Sequence, residues 1–168
     1  PAIFSCNFDS IDYSSTLLAR GHSGNGYQFC GKDSFLKFAM PKNFNRDEGT
    51  IAFWVKPLKS VNSDKQSRIL FDTIGQPFWW GRYMIEITGG KLQVNIVSNS
   101  RQQDSTLSQA DNVLSADISP WQRNSWHHVG VTRSGINSGG ESAMIYLFID
   151  GAQAACLARP AKIDIHKT

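Results

Sequence analysis

The sequence predicts an all-β protein, an antiparallel sandwich or barrel, and three observations carry that prediction. Helical periodicity is nearly absent. Short runs rich in β-branched and aromatic residues recur instead, separated by Gly, Asn, Ser and Pro. Gly89-Gly90 stands alone between two such runs, a two-residue hairpin signal. Composition agrees: 40% of the 168 residues are hydrophobic and 18% charged, with ten Phe, five Trp and four Tyr. That is enough for a core, and the charge content suits neither disorder nor a long exposed helix. A chain near this length buries roughly 70% of its unfolded surface, so one domain is the simplest expectation.

Taken in order, the strand-like runs are "AIFSCNF", "FLKFAM", "GTIAFWVKP", "RILFDTI", "RYMIEIT", "KLQVNIVS", "WHHVGVTR" and "AMIYLFID", with a short strand near "NVLSADI". In the fifth, Tyr83, Ile85 and Ile87 alternate with Arg82, Met84 and Glu86; in the sixth, Leu92, Val94 and Ile96 alternate with Lys91, Gln93 and Asn95. Each of these turns one face to a core and the other to water. "AMIYLFID" is apolar on both faces, Ile145, Leu147 and Ile149 against Met144, Tyr146 and Phe148, and is expected to be a central, covered strand. Asp150-Gly151 then supplies a tight turn into "AQAACLA".

The adjacent pair His127-His128 raises the question of a metal or catalytic site. On a strand the two point to opposite sides of the sheet, so they cannot chelate one ion without a bulge. Spacing sets neither an orienting carboxylate nor a nucleophile beside them, and a structural role is expected. Cys6, Cys30 and Cys156 show no zinc-like spacing. A Cys6–Cys30 bridge and three reduced, buried thiols both remain open. The net charge of +3 comes from scattered Lys and Arg rather than basic clusters interleaved with aromatics, which argues against nucleic acid as a partner. The apolar runs are too short to cross a bilayer as helices, so no membrane insertion is expected. No signal-peptide pattern is present and the chain starts at Pro1, which suggests a processed protein or an excised domain.

"GTIAFWVKP", "GGKLQVNI", "WHHVGVTRSG" and "IYLFIDG", in this order, resemble the laminin-G-like, concanavalin A-like lectin/glucanase jelly-roll family. The matching positions are Gly49 to Val55, Gly89 to Ile96, Trp126 to Gly130 and Tyr146 to Gly151. "FDSIDYSS" and "GHSGNGYQF" resemble the family's opening strand and loop. The resemblance implies a two-sheet antiparallel jelly-roll sandwich over residues 1–160, with 161–168 as a tail or truncated final strand. Such domains usually close with a further strand beside the first. This chain stops at "AKIDIHKT", a strand or two early, so an open sheet edge for a neighbouring protein chain is a further expectation.

The same fold carries laminarinase-like hydrolases, which set two carboxylates across a sugar, commonly as E-x-D-x-x-E on one strand. Only Glu48, Glu86 and Glu141 are present, and none begins an E-x-D. An alginate-lyase-like set of Arg82, Gln93, His127 or His128, and Tyr146 does not match that family's order or flanking motifs. A non-enzyme is therefore expected. Laminin-G-like jelly rolls are mostly extracellular modules that bind glycans or glycoproteins through rim loops, sometimes with calcium.

An up-and-down meander gathers loops 75–81, 99–112 and 134–142 at one rim, with Gly89-Gly90 and Asp150-Gly151 at the other. Candidate ligand-binding residues there are Trp79, Trp80, Arg82, Arg101, Asp104, Asn137 and Glu141. Paired indoles can stack on sugar faces while amides and carboxylates bond hydroxyls; equally, Trp79 and Trp80 can simply cover the sheet end. Calcium is the one cofactor left open, at Asp104 with Asp111 or at Asp9 with Asp12. No D-x-D-x-D-G loop is present, and solvated turn aspartates explain these residues as well. The expectation is a non-catalytic, lectin-like adhesion module at an extracellular, cell or virion surface. A surface or virion assembly module is the alternative.

Overall fold

The structure, a computed structural model, describes residues 17–29, 35–36, 44–45, 47–62, 66–73, 82–97, 112–137, 142–158 and 160. The chain forms two compact units, residues 1–44 and 45–168. In the first, β1 (Leu17–Arg20) and β2 (Asn25–Gln28) form an antiparallel hairpin. Its turn is closed by the Gly21 amide donating to the Gly24 carbonyl at 2.9 Å, with Gly24 at φ 67°. The resemblance implies a loop for "GHSGNGYQF", which holds β2, and Leu17–Arg20 carries no strand signal of its own. It lacks apolar alternation, so the turn geometry at Gly21–Gly24 is the stronger determinant.

The second unit holds β3 (Gly49–Val55), β4 (Arg68–Asp72), β5 (Tyr83–Thr88), β6 (Lys91–Ile96), β7 (Asn112–Asp117), β8 (His127–Ser134), β9 (Met144–Ile149) and β10 (Ala152–Ala158). They build two four-stranded antiparallel sheets, β10-β9-β8-β3 and β4-β5-β6-β7. The all-β architecture is therefore as the alternation predicts, and its two sheets are as the family resemblance implies. Among the described residues there is no helix, and so none long and apolar enough to cross a membrane. "AIFSCNF", most of "FLKFAM" and the C-terminal "AKIDIHKT" lie outside the described residues, as do Cys6 and Cys30.

The core forms where the apolar sets of the two sheets face one another. Tyr83, Ile85 and Ile87 of β5, with Leu92, Val94 and Ile96 of β6, are buried from one side; Val129 and Val131 of β8, with Ile145 and Leu147 of β9, are buried from the other. Burying each such side chain contributes about 1.5–3 kcal/mol before entropy is counted. Arg133 joins them on the inner face of β8, with its guanidinium 5.2 Å from the centre of the Tyr83 ring. That contact ties the C-terminal end of β8 to the N-terminal end of β5, and so fixes which ends of the sheets coincide.

Two hairpin turns were legible beforehand. Gly89 (φ 55°) with Gly90 (φ 76°), and Asp150 (φ 51°) with Gly151 (φ 83°), take positive φ at both central positions. That is the type I′ geometry that matches strand twist, and it explains why glycine supplies three of the four positions. At Gly90 space matters too, because an added Cβ would stand 2.7 Å from Asn62 Oδ1.

One expectation needs correction. β9 is central, between β8 and β10, but its outer row is only partly covered: Met144, Tyr146 and Phe148 are half-buried, whereas Ile145 and Leu147 opposite them are fully buried. Apolar character on both sides of a strand signalled a second packed layer, whereas here the outer side chains keep part of their surface in water.

Candidate functional site

β4 ends at Asp72 and β5 begins at Tyr83; β6 ends at Ile96 and β7 begins at Asn112; β8 ends at Ser134 and β9 begins at Met144. The registers Asp72↔Met84, Tyr83↔Ile96, Ile96↔Asn112 and Ser134↔Met144 put each of these pairs of ends side by side. With Arg133 reaching over Tyr83, the ends that flank the three candidate rim loops belong to one end of the sandwich. Trp79, Trp80, Arg101, Asp104 and Glu141 lie outside the described residues, as do Asp9, Asp12 and Asp111.

Two candidates are described, and both are tied into the scaffold. Arg82 donates from Nε to Asp72 Oδ1 at 2.7 Å and from Nη2 to Asp72 Oδ2, a two-point clamp across the β4–β5 ends. The two side chains are 16% and 9% exposed, so the pair is largely desolvated. The hydrogen bonds to Asp72 raise the guanidinium's pKa further, burial opposes this, and the charges of Asp72 and Glu86 add to the rise. Asn137 donates from Nδ2 to Asp47 Oδ1 at 2.6 Å, while the Ile136 amide reaches the Asp47 carbonyl at 3.2 Å. Asp47 is itself held by its amide donating to Asn45 Oδ1 at 2.9 Å.

The outer face of β4-β5-β6-β7 carries a polar array that sequence reading did not single out. Glu86 accepts from Asn95 Nδ2 at 2.7 Å and from Ser67 Oγ. Gln93 pairs across from Glu86, with Ser115 beyond it on β7. Exposed Ile69 and Val113 flank the array, at 54% and 46% exposure. Alternation already placed Glu86, Gln93 and Asn95 on a wet face. The missing information was lateral register, which sets Glu86 against Asn95 and Ser67.

The lyase-like set is not brought together. Arg82 and Gln93 belong to the β4-β5-β6-β7 sheet, whereas His127, His128 and Tyr146 belong to the other. His127 and His128 do point to opposite faces, as expected: His127 lies on the face of buried Val129 and Val131, and His128 beside Trp54 on the outer one. Spacing, however, set no carboxylate beside them, and the fold does. His127 Nδ1 lies 2.8 Å from Asp150 Oδ2, and the His128 amide donates to Asp150 Oδ1 at 2.7 Å. The His127 ring stacks on Trp121 at 4.1 Å with 2° between planes, and its Nε2 is buried with no hydrogen-bond partner among the described residues. A sealed Nε2 cannot exchange protons with a substrate, so the pair is a structural clasp on the β9–β10 turn. The signal lay in the hairpin register, because Val129↔Ile149 places Asp150 beside His128.

Asp150 gives this clasp an acid limit. Burial pushes its pKa up, but the bonds from His127 and the His128 amide outweigh burial and hold the carboxyl below its ordinary value. A carboxyl depressed in the folded state contributes stability above its unfolded pKa of about 3.9. That contribution disappears as pH falls through the lower, folded value. Asp150 is 47% exposed, so screening keeps the effect to about 1 kcal/mol or less. Urea titrations from pH 7 to 2 should show a shallower acid loss for Asp150→Asn than for wild type, with the turn retained. Parallel curves for the two proteins would contradict the assignment.

Among the described residues, no group of three or more His, Cys, Asp or Glu could hold a metal ion. Cys156 is exposed and unpaired in a disulfide. A laminin G family model, described as the concanavalin A-like lectin/glucanases superfamily, matches residues 30–167. No curated protein and no solved structure matches the chain.

Proposed function

The chain belongs to the concanavalin A-like lectin/glucanase superfamily, and on that footing we propose that it is a non-catalytic carbohydrate-binding module acting at an extracellular or cell surface. The observation that carries this reading is the polar array on the outer face of β4-β5-β6-β7. Glu86, Asn95 and Gln93 offer donors and acceptors at sheet spacing, with apolar Ile69 and Val113 on either side. Sugars ask for that mixture: polar groups for hydroxyls and apolar surface for ring faces.

Binding rather than hydrolysis is favoured by how the carboxylates are used. Glycosidases need two carboxyl groups facing across the scissile bond, one free to give a proton. Glu86 accepts from both Asn95 and Ser67, and Asp72 is committed to Arg82. In the proposed site the array continues toward the rim, where Trp79 and Trp80 stack on the sugar and Arg101, Asp104 and Glu141 bond its hydroxyls. Arg82 and Asn137 then act by holding the loop bases in place. Calcium between rim aspartates stays an option of this proposal.

Shallow surfaces of this kind give weak single-site affinity, on the order of micromolar to millimolar. A glycan array probed with a multimerised form compensates through avidity. Wild type is expected to bind at least one glycan class, and the Trp79→Ala/Trp80→Ala double variant to lose it at least tenfold. Release of reducing ends from any bound polysaccharide would overturn the non-catalytic reading. A second reading, assembly with a neighbouring chain, is favoured by β10. It ends the described order of its sheet, and "AQAACLA" carries none of the charges that usually guard an edge. An array silent with wild type, together with stable oligomers by light scattering, selects that reading.

A further inference from the structure

The outer face of β10-β9-β8-β3 differs in kind from the polar face of the other sheet. Register assigns to it Thr50, Ala52 and Trp54 of β3, and His128, Gly130 and Thr132 of β8. From β9 come Met144, Tyr146 and Phe148, and from β10 Gln153, Cys156 and Ala158. Among the described residues of these rows the charged side chain is Asp150, which ends the Trp54–His128 row and is tied to His127 and to the His128 amide. Lys56, just past the end of β3, is turned over the Trp126 ring at 4.9 Å.

Within this face the chemistry is sorted into rows. Tyr146, Thr132 and Thr50 lie side by side across three strands, a line of hydroxyl groups. Two rows away stand Trp54 and His128, tilted rings with centroids 5.1 Å apart, Trp54 being 46% exposed. Between them Gly130 and Ala52 keep the surface low. A Cβ at Gly130 would make ordinary contacts, with Phe148 Cβ at 3.6 Å and His128 Cε1 at 3.9 Å, so these side chains border it.

We propose that this face is a second carbohydrate contact surface, selective for short, uncharged pyranose chains lying across the strands. Trp54 and His128 stack on ring faces, and the hydroxyls of Thr50, Thr132 and Tyr146 exchange hydrogen bonds with the sugar's own. The ligand is uncharged because the described rows offer no Lys or Arg to pair with an acidic sugar, Asp150 beside His128 repels one, and burying an unpaired charge there would be costly. Size selects against a second copy of the chain. Four strands about 4.8 Å apart and five residues rising about 3.3 Å each give a flat footprint on the order of 250 Å². A stable protein interface takes roughly 800 Å² per partner. A few sugar rings fit the smaller footprint. The proposal rests on the glycan-binding reading of the chain, but not on the rim loops or the polar face.

The test is calorimetric titration of the purified chain with neutral hexasaccharides of β-1,4-glucan, β-1,3-glucan and β-1,4-mannan, with a heparin hexasaccharide as polyanionic control. Trp54→Ala is expected to weaken binding of a neutral hexasaccharide about tenfold. Thr132→Val keeps the side-chain shape and removes one hydroxyl, and is expected to weaken it severalfold; it also covers the case in which Trp54→Ala does not fold. Heparin should not respond to either change. Neutral-sugar binding lost in Trp79→Ala/Trp80→Ala but intact in both face variants overturns this surface and leaves the proposed function standing. Absence of binding to every neutral hexasaccharide overturns it as well. So does a wild-type dimer that Trp54→Ala dissociates, which makes the face a self-interface.

Discussion

Trp121→Ala is expected to destabilise the protein by about 3 kcal/mol, near the lower end of the roughly 3–5 kcal/mol typical of deleting a buried aromatic ring. Trp121 is 8% exposed and stacked flat on His127, and its amide caps the Ile118 carbonyl at 2.9 Å. Removing the indole leaves a cavity at the end of the sandwich. Two effects keep the loss from being larger. The cavity lies at an end rather than the centre, so water can enter it. That water also reaches His127 Nε2, which has no hydrogen-bond partner among the described residues. Urea denaturation at pH 7 measures the loss, and the melting temperature should fall by roughly 10 °C for a unit of this size. A change under 1 kcal/mol would show that the stack supports no packing. Trp121→Phe should recover part of the loss by restoring a ring against the imidazole.

Arg133→Met tests the other end of the sandwich, with an expected loss of about 2 kcal/mol. Opposing effects must be weighed. Burial depresses the guanidinium's pKa, while Tyr83 and Asp47 act the other way. An apolar replacement therefore relieves a desolvation cost, and such swaps can be neutral. Against that, Arg133 donates to the Asn45 carbonyl from Nε at 3.1 Å and also from Nη2. Losing these charge-assisted bonds costs about 1.5–3 kcal/mol, and losing the cation over Tyr83 costs about 0.5–2 kcal/mol. The losses outweigh the relief. Arg133→Lys should lose nearly as much, because an ammonium cannot reproduce the fork. Methionine at or above wild-type stability by equilibrium unfolding would mean that the buried charge contributes nothing net.

The two sites differ in how far sequence could reveal them. Strand identity and inner face were legible because alternation is a local signal: Tyr83, Ile85 and Ile87 announce their burial, as do Leu92, Val94 and Ile96. Turns were legible where a positive φ demands glycine, at Gly89-Gly90 and at Asp150-Gly151. Trp121 stands a few residues before "WHH", and nothing local marks it as the partner of an imidazole. Arg133 was not foreseen at all. Its burial depends on Asn45 and Tyr83, far off in sequence, and an arginine near a strand end gives no local sign that it turns inward. The same limit hid the Glu86–Asn95–Ser67 array and the Asp150 clasp, which arise from register between strands. The wet face of β9 was misread because an apolar outer row looks alike whether protein or solvent covers it.

Strand order also has a consequence for how the chain assembles. β4 through β7 are neighbours in sequence and in space, so each can zip onto the one just made. β3 has no such option: Gly49 faces Arg133, and the strand must stay unpaired on that side until the whole meander and β8 have been synthesised. During that interval "GTIAFWV" is an apolar ribbon without its hydrogen-bonding neighbour, the state in which chains most readily stick to one another. On the ribosome, the earliest strand of this sheet waits longest for its place.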